Sequence, residues 1–290
     1  MAVLSIHSRV SRGYVGNSAV VPALQALGQD VWSVDTVILS NHPGHKGVAG
    51  RRVKAEEVRT LADAVLDLGG AEGPGAVMTG YMGGVDTARA ALAAVDRVKR
   101  AWPKALYVCD PILGDAGEGV YVDDALIPFF RGEALPRADL AMPNAFELEL
   151  LTGDRVSDVA SAVAAAHVLR ARGTGAVIVT SVPDNPDPAR LGANGGGLMV
   201  GTLAVDDEGE WLIEVPRLER RAKGAGDVLA GLVVGHLLAG VRLRDAAARA
   251  TASVHALLEA APETDLDLPV IRERRLLAEP QRKLTPQAVR

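Results

Sequence analysis

The sequence predicts an α/β fold, a mainly parallel central sheet with helices on both faces. Two observations carry that prediction. Short stretches rich in Val, Ile and Leu alternate with longer amphipathic stretches from residue 3 to residue 261, the pattern of strands joined by crossover helices. Polar residues also gather just beyond the strand-like stretches, where open α/β sheets hold their ligands. The chain has 290 residues, 48% of them hydrophobic, enough to bury a sizeable core. Neither an internal repeat nor an interdomain linker interrupts it, so one domain over 1–290 is expected.

Each element has a local reason. Residues 3–6 are an apolar run and read as the first strand. Gly16-Asn17-Ser18 opens a helix that Gly28 stops after Leu27. Residues 31–39 are β-branched and partly alternating, hence strand. Residues 55–68 form an amphipathic helix with acids in its first turn and Gly69-Gly70 behind it. Strand 76–79 is followed by helix 86–101, which Pro103 ends. Strand 106–109 runs into Asp110-Pro111, and the brief strand 140–142 into Pro143-Asn144 and a helix over 145–151. Helix 158–172 leads to strand 176–180. Residues 198–205 and 210–215 pair as an antiparallel hairpin around Asp207-Glu208-Gly209. An apolar helix after Asp227 and a second helix over 243–261 close the fold.

Composition excludes several classes of function. A net charge of −5 with scattered Lys and Arg does not suit a nucleic-acid surface. The only cysteine, Cys109, rules out an internal disulfide and fits a reducing compartment. The apolar run at the N-terminus is too short for a signal peptide, and the run 228–241 is too short to span a bilayer. A soluble cytoplasmic protein is the expectation. The six histidines show neither an H-x-x-x-H nor a Cys/His spacing, so zinc is not indicated. A Walker P-loop is missing, and so is a G-x-G-x-x-G after the first strand, which disfavours an NTPase of that type and a dinucleotide dehydrogenase.

The most informative stretch is Gly224-Ala225-Gly226-Asp227, running directly into the apolar helix. Unpaired amides and the positive end of the macrodipole make such a helix start a place for an anion. Asp227 in the first turn is placed to accept a proton from a hydroxyl. An ordinary loop-to-helix turn explains the same residues equally well when they are taken alone. Ser8, Asp110, Asn144, Glu147, Thr180 and Ser181 follow strand ends, and together they describe a crevice of acids and donors facing the glycine turn. That arrangement suits Mg²⁺ with phosphate oxygens.

The glycine-aspartate turn resembles the C-terminal signature of the ribokinase-like small-molecule kinases. The stretches Ser5-Ile6-His7-Ser8, 13–19, Ser40-Asn41-His42, Thr79-Gly80-Tyr81, 108–115 and 143–149 are similar to the pyridoxal kinase family within them. The resemblance covers residues 4 to about 277. It implies a Rossmann-like, ribokinase-like fold, ATP-dependent phosphorylation of the 5′-hydroxymethyl group of pyridoxal, and a homodimer. It carries Asp227 over as the catalytic base, also touching substrate, and Gly224, Ala225 and Gly226 as the anion hole. Ser8, His42 and Tyr81 become vitamin-pocket positions, and Asp110, Asn144, Glu147, Thr180 and Ser181 nucleotide positions. Asp110 and Glu147 lie near Mg²⁺, directly or through water. A monovalent cation stays open as a further cofactor.

The chain departs from the family at three places. Pro43 replaces a frequent Thr and removes a pocket hydroxyl, Met142 replaces Thr or Ala, and Ala225 replaces Thr or Val. Two other readings are a hydroxymethylpyrimidine kinase of the same superfamily and a non-catalytic pyridoxal-binding protein. The Pro/Asp/Asn/Gly-rich run 183–197 is expected to be a loop over the triphosphate, either a closing cover or a surface insertion.

Overall fold

In the computed structural model, residues 1–183, 198–220 and 222–289 are described. Twelve strands are found among them: β1 (Ala2–Val10), β2 (Asp30–Leu39), β3 (Gly50–Arg52), β4 (Pro74–Thr79), β5 (Leu106–Cys109), β6 (Gly114–Asp115), β7 (Gly119–Val120), β8 (Leu140–Ala141), β9 (Ala176–Pro183), β10 (Met199–Asp206), β11 (Gly209–Pro216) and β12 (Gln287–Ala288). Ten of them form one sheet in the order β12-β11-β10-β9-β8-β5-β4-β1-β2-β3, and β6 and β7 make a separate hairpin. The six strands from β9 to β2 run parallel, and the outer strands β10, β11, β12 and β3 are antiparallel additions. This is the predicted class, with the predicted hairpin at residues 198–216.

The helices are α1 (Asn17–Ala26), α2 (Ala55–Leu68), α3 (Val85–Ala101), α4 (Leu126–Phe129), α5 (Ala145–Thr152), α6 (Val159–Ala171), α7 (Ala225–Leu238), α8 (Leu243–Ala260) and α9 (Arg275–Ala278). Side chains alternate across a strand, so each strand feeds two cores. Leu4, Ile6, Val77, Tyr107, Cys109, Val177 and Val179 pack under α2, α3, α5 and α6. Val3, Ala76, Met78, Val108 and Ile178 pack on the other face under α1, α7 and α8. Helix α7 is apolar all round, and Val228 to Gly235 are all buried, as a helix enclosed by α1, α8 and the sheet requires. Burying each of its Val and Leu side chains contributes about 1.5–3 kcal/mol, so its position is firmly held.

Several elements escape the sequence pattern for physical reasons. The edge strand β3 is Gly-Arg-Arg and wholly exposed, so it carries no apolar alternation. The β6–β7 hairpin, α9 and β12 are too short for periodicity. After α4 the chain makes one π turn, Phe130–Ala134, and a short 3₁₀ turn, Leu135–Arg137. The predicted loop over 183–197 lies, beyond Pro183, outside the described residues.

Candidate active site

Alternation fixes which side chains look toward α7. On β1, Val3 belongs to the α7 core and Leu4 and Ile6 to the other, so Ser5 and His7 point to α7. On β5, Val108 faces α7, so Asp110 does as well. On β9, Ile178 faces α7, and Thr180 follows it. A bulge then intervenes, for Val179 pairs with Leu203 but Val182 with Gly201. Thr180 and Ser181 thus oppose Thr202 alone, and bulges of this kind re-aim side chains beside active sites. Ser181 has φ +55°, alone among the described non-glycine residues in being left-handed, and such strain clusters at functional sites.

These ends meet in a cavity of about 430 Å³ lined by every residue singled out from the sequence: Ser8, His42, Tyr81, Asp110, Asn144, Glu147, Thr180, Ser181, Gly224, Ala225, Gly226 and Asp227. The volume suits a small-molecule site. Helix α7 enters it with no side-chain cap. The first helical bond is Val228 N–H to Gly224 C=O, 3.0 Å, so the amides of Ala225, Gly226 and Asp227 precede it. The two glycines do different work. Gly224 is left-handed, φ +98°, and a Cβ there would lie 1.8 Å from the Tyr14 carbonyl oxygen. A Cβ on Gly226 would meet nothing within 4 Å, so the fold itself does not demand glycine at that position.

Opposite the helix start stands a group of acids. Glu147 is the third residue of α5 and closes a capping box with Asn144. Its Oε2 accepts from Asn144 N–H at 2.8 Å, and its Oε1 from Leu113 and Gly114 N–H at 2.9 and 3.3 Å. Burial pushes its pKa to about 7, against the pull of those three amides. Asp110 is buried as well, and burial first, then the charges of Glu147 and Asp227, raise its pKa well above the carboxylate range. Among the described residues no donor reaches its side chain. A buried, donor-free carboxylate beside two others is the donor set a hard divalent cation fits. Tyr121 borders this corner with its phenol pKa raised, mainly by burial and then by the charge of Glu147.

The opposite wall is a clamp. His42 Nε2 lies 3.1 Å from Asp267 Oδ1, and His45 Nε2 lies 3.0 Å from Asp267 Oδ2. The three side chains are close enough together to hold a metal ion. The His42 tautomer speaks against it: Nδ1 accepts from Gly44 N–H at 3.1 Å, leaving the ring proton on the nitrogen that would ligate. Burial lowers the pKa of His42 despite Asp267, so it is neutral at pH 7.

A family model described as phosphomethylpyrimidine kinase matches residues 15–267. The pyridoxal kinase PdxY of Corynebacterium diphtheriae is 38% identical over 284 residues, 97% of either chain. That of Rubrobacter xylanophilus is 42% identical over 257 residues, 89% of this chain and 86% of its own. Among solved structures, the pyridoxal kinase of Leishmania donovani in complex with ADP and pyridoxine has a TM-score of 0.88 at 30% identity, covering 100% of this chain and 99% of that one. The chain belongs to the pyridoxal kinase family.

Within this kinase site, sequence reasoning missed two residues. Lys223 joins the glycine turn to the β6–β7 hairpin, with Nζ 2.6 Å from Glu118 and 3.5 Å from Asp115. Burial opposes its charge, but these two acids raise its pKa on balance. His7, with 1% of its side chain exposed, lies 3.0 Å from Asp227 through Nε2. The signal for His7 was available: it shares parity with Val3 and Ser5, hence the face of α7. Cys109 sits on the other face, its thiol pKa pushed up to about 12 by burial, and takes no part.

Two outcomes are expected here. Gly224→Ala forces a Cβ into the Tyr14 carbonyl and should lower the melting temperature, whereas Gly226→Ala should leave it unchanged or slightly raised while raising KM for ATP. Equal melting temperatures for the two variants would contradict this division. For Asp110 the sign follows from linkage. Its folded pKa lies above its unfolded one, so the metal-free fold loses stability as pH rises through the unfolded value toward the folded one. Asp110→Asn should therefore melt higher than the parent at pH 8 without metal, by about 2 °C per kcal/mol recovered. In the presence of ADP it should also lose the rise that Mg²⁺ gives the parent. Melting curves that overlay the parent's in both conditions would refute it.

Proposed function

We propose that this chain transfers the terminal phosphoryl group of ATP to the 5′-hydroxymethyl group of pyridoxal, forming pyridoxal 5′-phosphate and ADP. The observation that carries the reading is Asp227, placed in the first turn of an uncapped helix in a cavity that Asp110 and Glu147 also line. A binding protein would need the pocket but not an acid beside free amides, which disfavours the non-catalytic alternative.

Phosphoryl transfer asks for in-line positioning and charge stabilisation more than for covalent chemistry. Asp227 takes the proton of the attacking hydroxyl. The amides of Ala225, Gly226 and Asp227 donate toward charge developing on the transferred group, where losing one such donor costs about 3–4 kcal/mol of barrier. Ser8, His42 and Tyr81 hold the vitamin, with neutral His42 presenting its ring to the pocket. Thr180 and Ser181, both in the cavity lining, receive the nucleotide phosphates, and Asn144 supports that corner. Asp110 would hold Mg²⁺ directly. Glu147, with both oxygens engaged by amides, would act through its charge and bound water. The ion supplies neutralisation of the phosphate oxygens when bound.

Residues 1–290 act as one kinase domain on this reading, since a single sheet draws strands from Ala2 to Ala288. The family resemblance extends the proposal to a cytoplasmic homodimer. No described helix is long and apolar enough to cross a membrane. On α2, Leu61 and Leu68 are left 46% and 86% exposed, apolar surface that a second copy would cover.

Asp227→Asn is expected to keep nucleotide binding and the fold and to lower kcat by at least about 10²-fold, the low end for a lost general base. A variant with parental kcat removes the assignment. A coupled ADP-release assay should give pyridoxal, pyridoxine or pyridoxamine a higher kcat/KM than hydroxymethylpyrimidine. The reverse order would make the chain a pyrimidine kinase.

A further inference from the structure

We infer that His7 is a positioning residue for the base. It holds one oxygen of the Asp227 carboxylate so that the other faces the substrate hydroxyl. This rests on the reading of Asp227 as the base and adds a residue to it.

Five observations carry the inference. The His7 ring is almost wholly buried. Its Nδ1 accepts from Ser8 N–H at 2.8 Å, so the proton of the neutral ring is on Nε2. That Nε2 lies 3.0 Å from Asp227 Oδ1, yet the pair is out of line for a hydrogen bond. Neither atom has another partner among the described residues. Lastly, the ring fits only because residue 80 is glycine. A Cβ there would lie 2.0 Å from His7 Cδ2 and 2.1 Å from Nε2, and the alternation of β4 aims that position at His7.

The simpler account is a core histidine satisfied by its own backbone. It explains Nδ1 but leaves a buried N–H and a buried carboxylate oxygen unpaired 3.0 Å apart, each left with its desolvation uncompensated. A small rotation joins them. Catalytic hydrogen bonds are often misaligned without substrate and tighten in the Michaelis complex, and a base oriented by a third group is the general pattern of such sites. Oδ1 is the buried oxygen, which leaves Oδ2 for the cavity. His7 moves no proton in this scheme. It fixes the carboxylate rotamer and is lined up by substrate.

The test measures kcat, KM for both substrates and melting temperature for five variants: His7→Leu, His7→Asn, His7→Gln, Asp227→Asn and the Leu/Asn double variant at 7 and 227. His7→Leu and His7→Asn, without a donor that reaches Asp227, should lose about 10- to 10²-fold in kcat, the scale of a misplaced catalytic group, with KM nearly unchanged. His7→Gln, whose amide N–H reaches about as far as Nε2, should restore most of the loss. In the D227N background His7→Leu should add nothing. If His7→Leu lowers kcat as much in D227N as in the parent, or if folded His7→Gln is as slow as folded His7→Asn, His7 does not act through the base. Parental kcat in D227N alone would instead overturn the base, and His7's role with it.

Discussion

The site depends on α7 arriving with its first amides unpaired and its body immovable. Both conditions come from one run of sequence. Val228 to Gly235 are buried on every side, so the helix cannot tilt to find other partners for its N-terminus. Gly224 turns the chain in a left-handed conformation against the Tyr14 carbonyl, which forbids a side-chain cap there. A helix end this exposed to a cavity is an electrostatic demand for an anion. The remaining polar residues of the cavity are arranged around that demand.

Facing it is the opposite sign of problem. Asp110, Glu147 and Asp227 share a poorly hydrated space, and burial with mutual repulsion raises the pKa of Asp110. The empty protein bears a cluster that favours neutralisation, by protons or by a cation, and the helix end favours negative charge. On the proposed function, a metal-nucleotide pair answers both at once. Glu147 shows how local structure and site share one residue: the carboxylate that caps α5 is also a wall of the cavity.

Much of this was legible in the sequence. Helix α2 and strand β5 fall on the expected residues because an amphipathic period with an acidic first turn marks the one and a short apolar run ahead of Asp110-Pro111 marks the other. The polar residues that follow strand ends do converge, since parallel strands deliver their carboxyl ends to one edge. Other features were not legible. The bulge that follows Thr180 and brings Ser181 into the cavity lining depends on pairing with β10, a long-range register. The commitment of both Glu147 oxygens depends on Leu113 and Gly114, more than thirty residues away. The approach of His7 to Asp227 spans more than two hundred positions, and only the parity of β1 hinted at its direction.

The clamp of His42 and His45 on Asp267 has a consequence for how the protein comes to exist. Its hydrogen bonds join a loop after β2 to a residue more than two hundred positions later, and His42 forms part of the cavity wall. Lys223 N–H also reaches that segment, bonding Leu266 C=O at 2.9 Å, next to the glycine turn. A ribosome-bound chain that has not yet released residue 267 therefore lacks the contact that holds His42 in the pocket wall, however well its sheet has formed. Small-molecule affinity is therefore expected to appear late in synthesis, once residue 267 can reach His42.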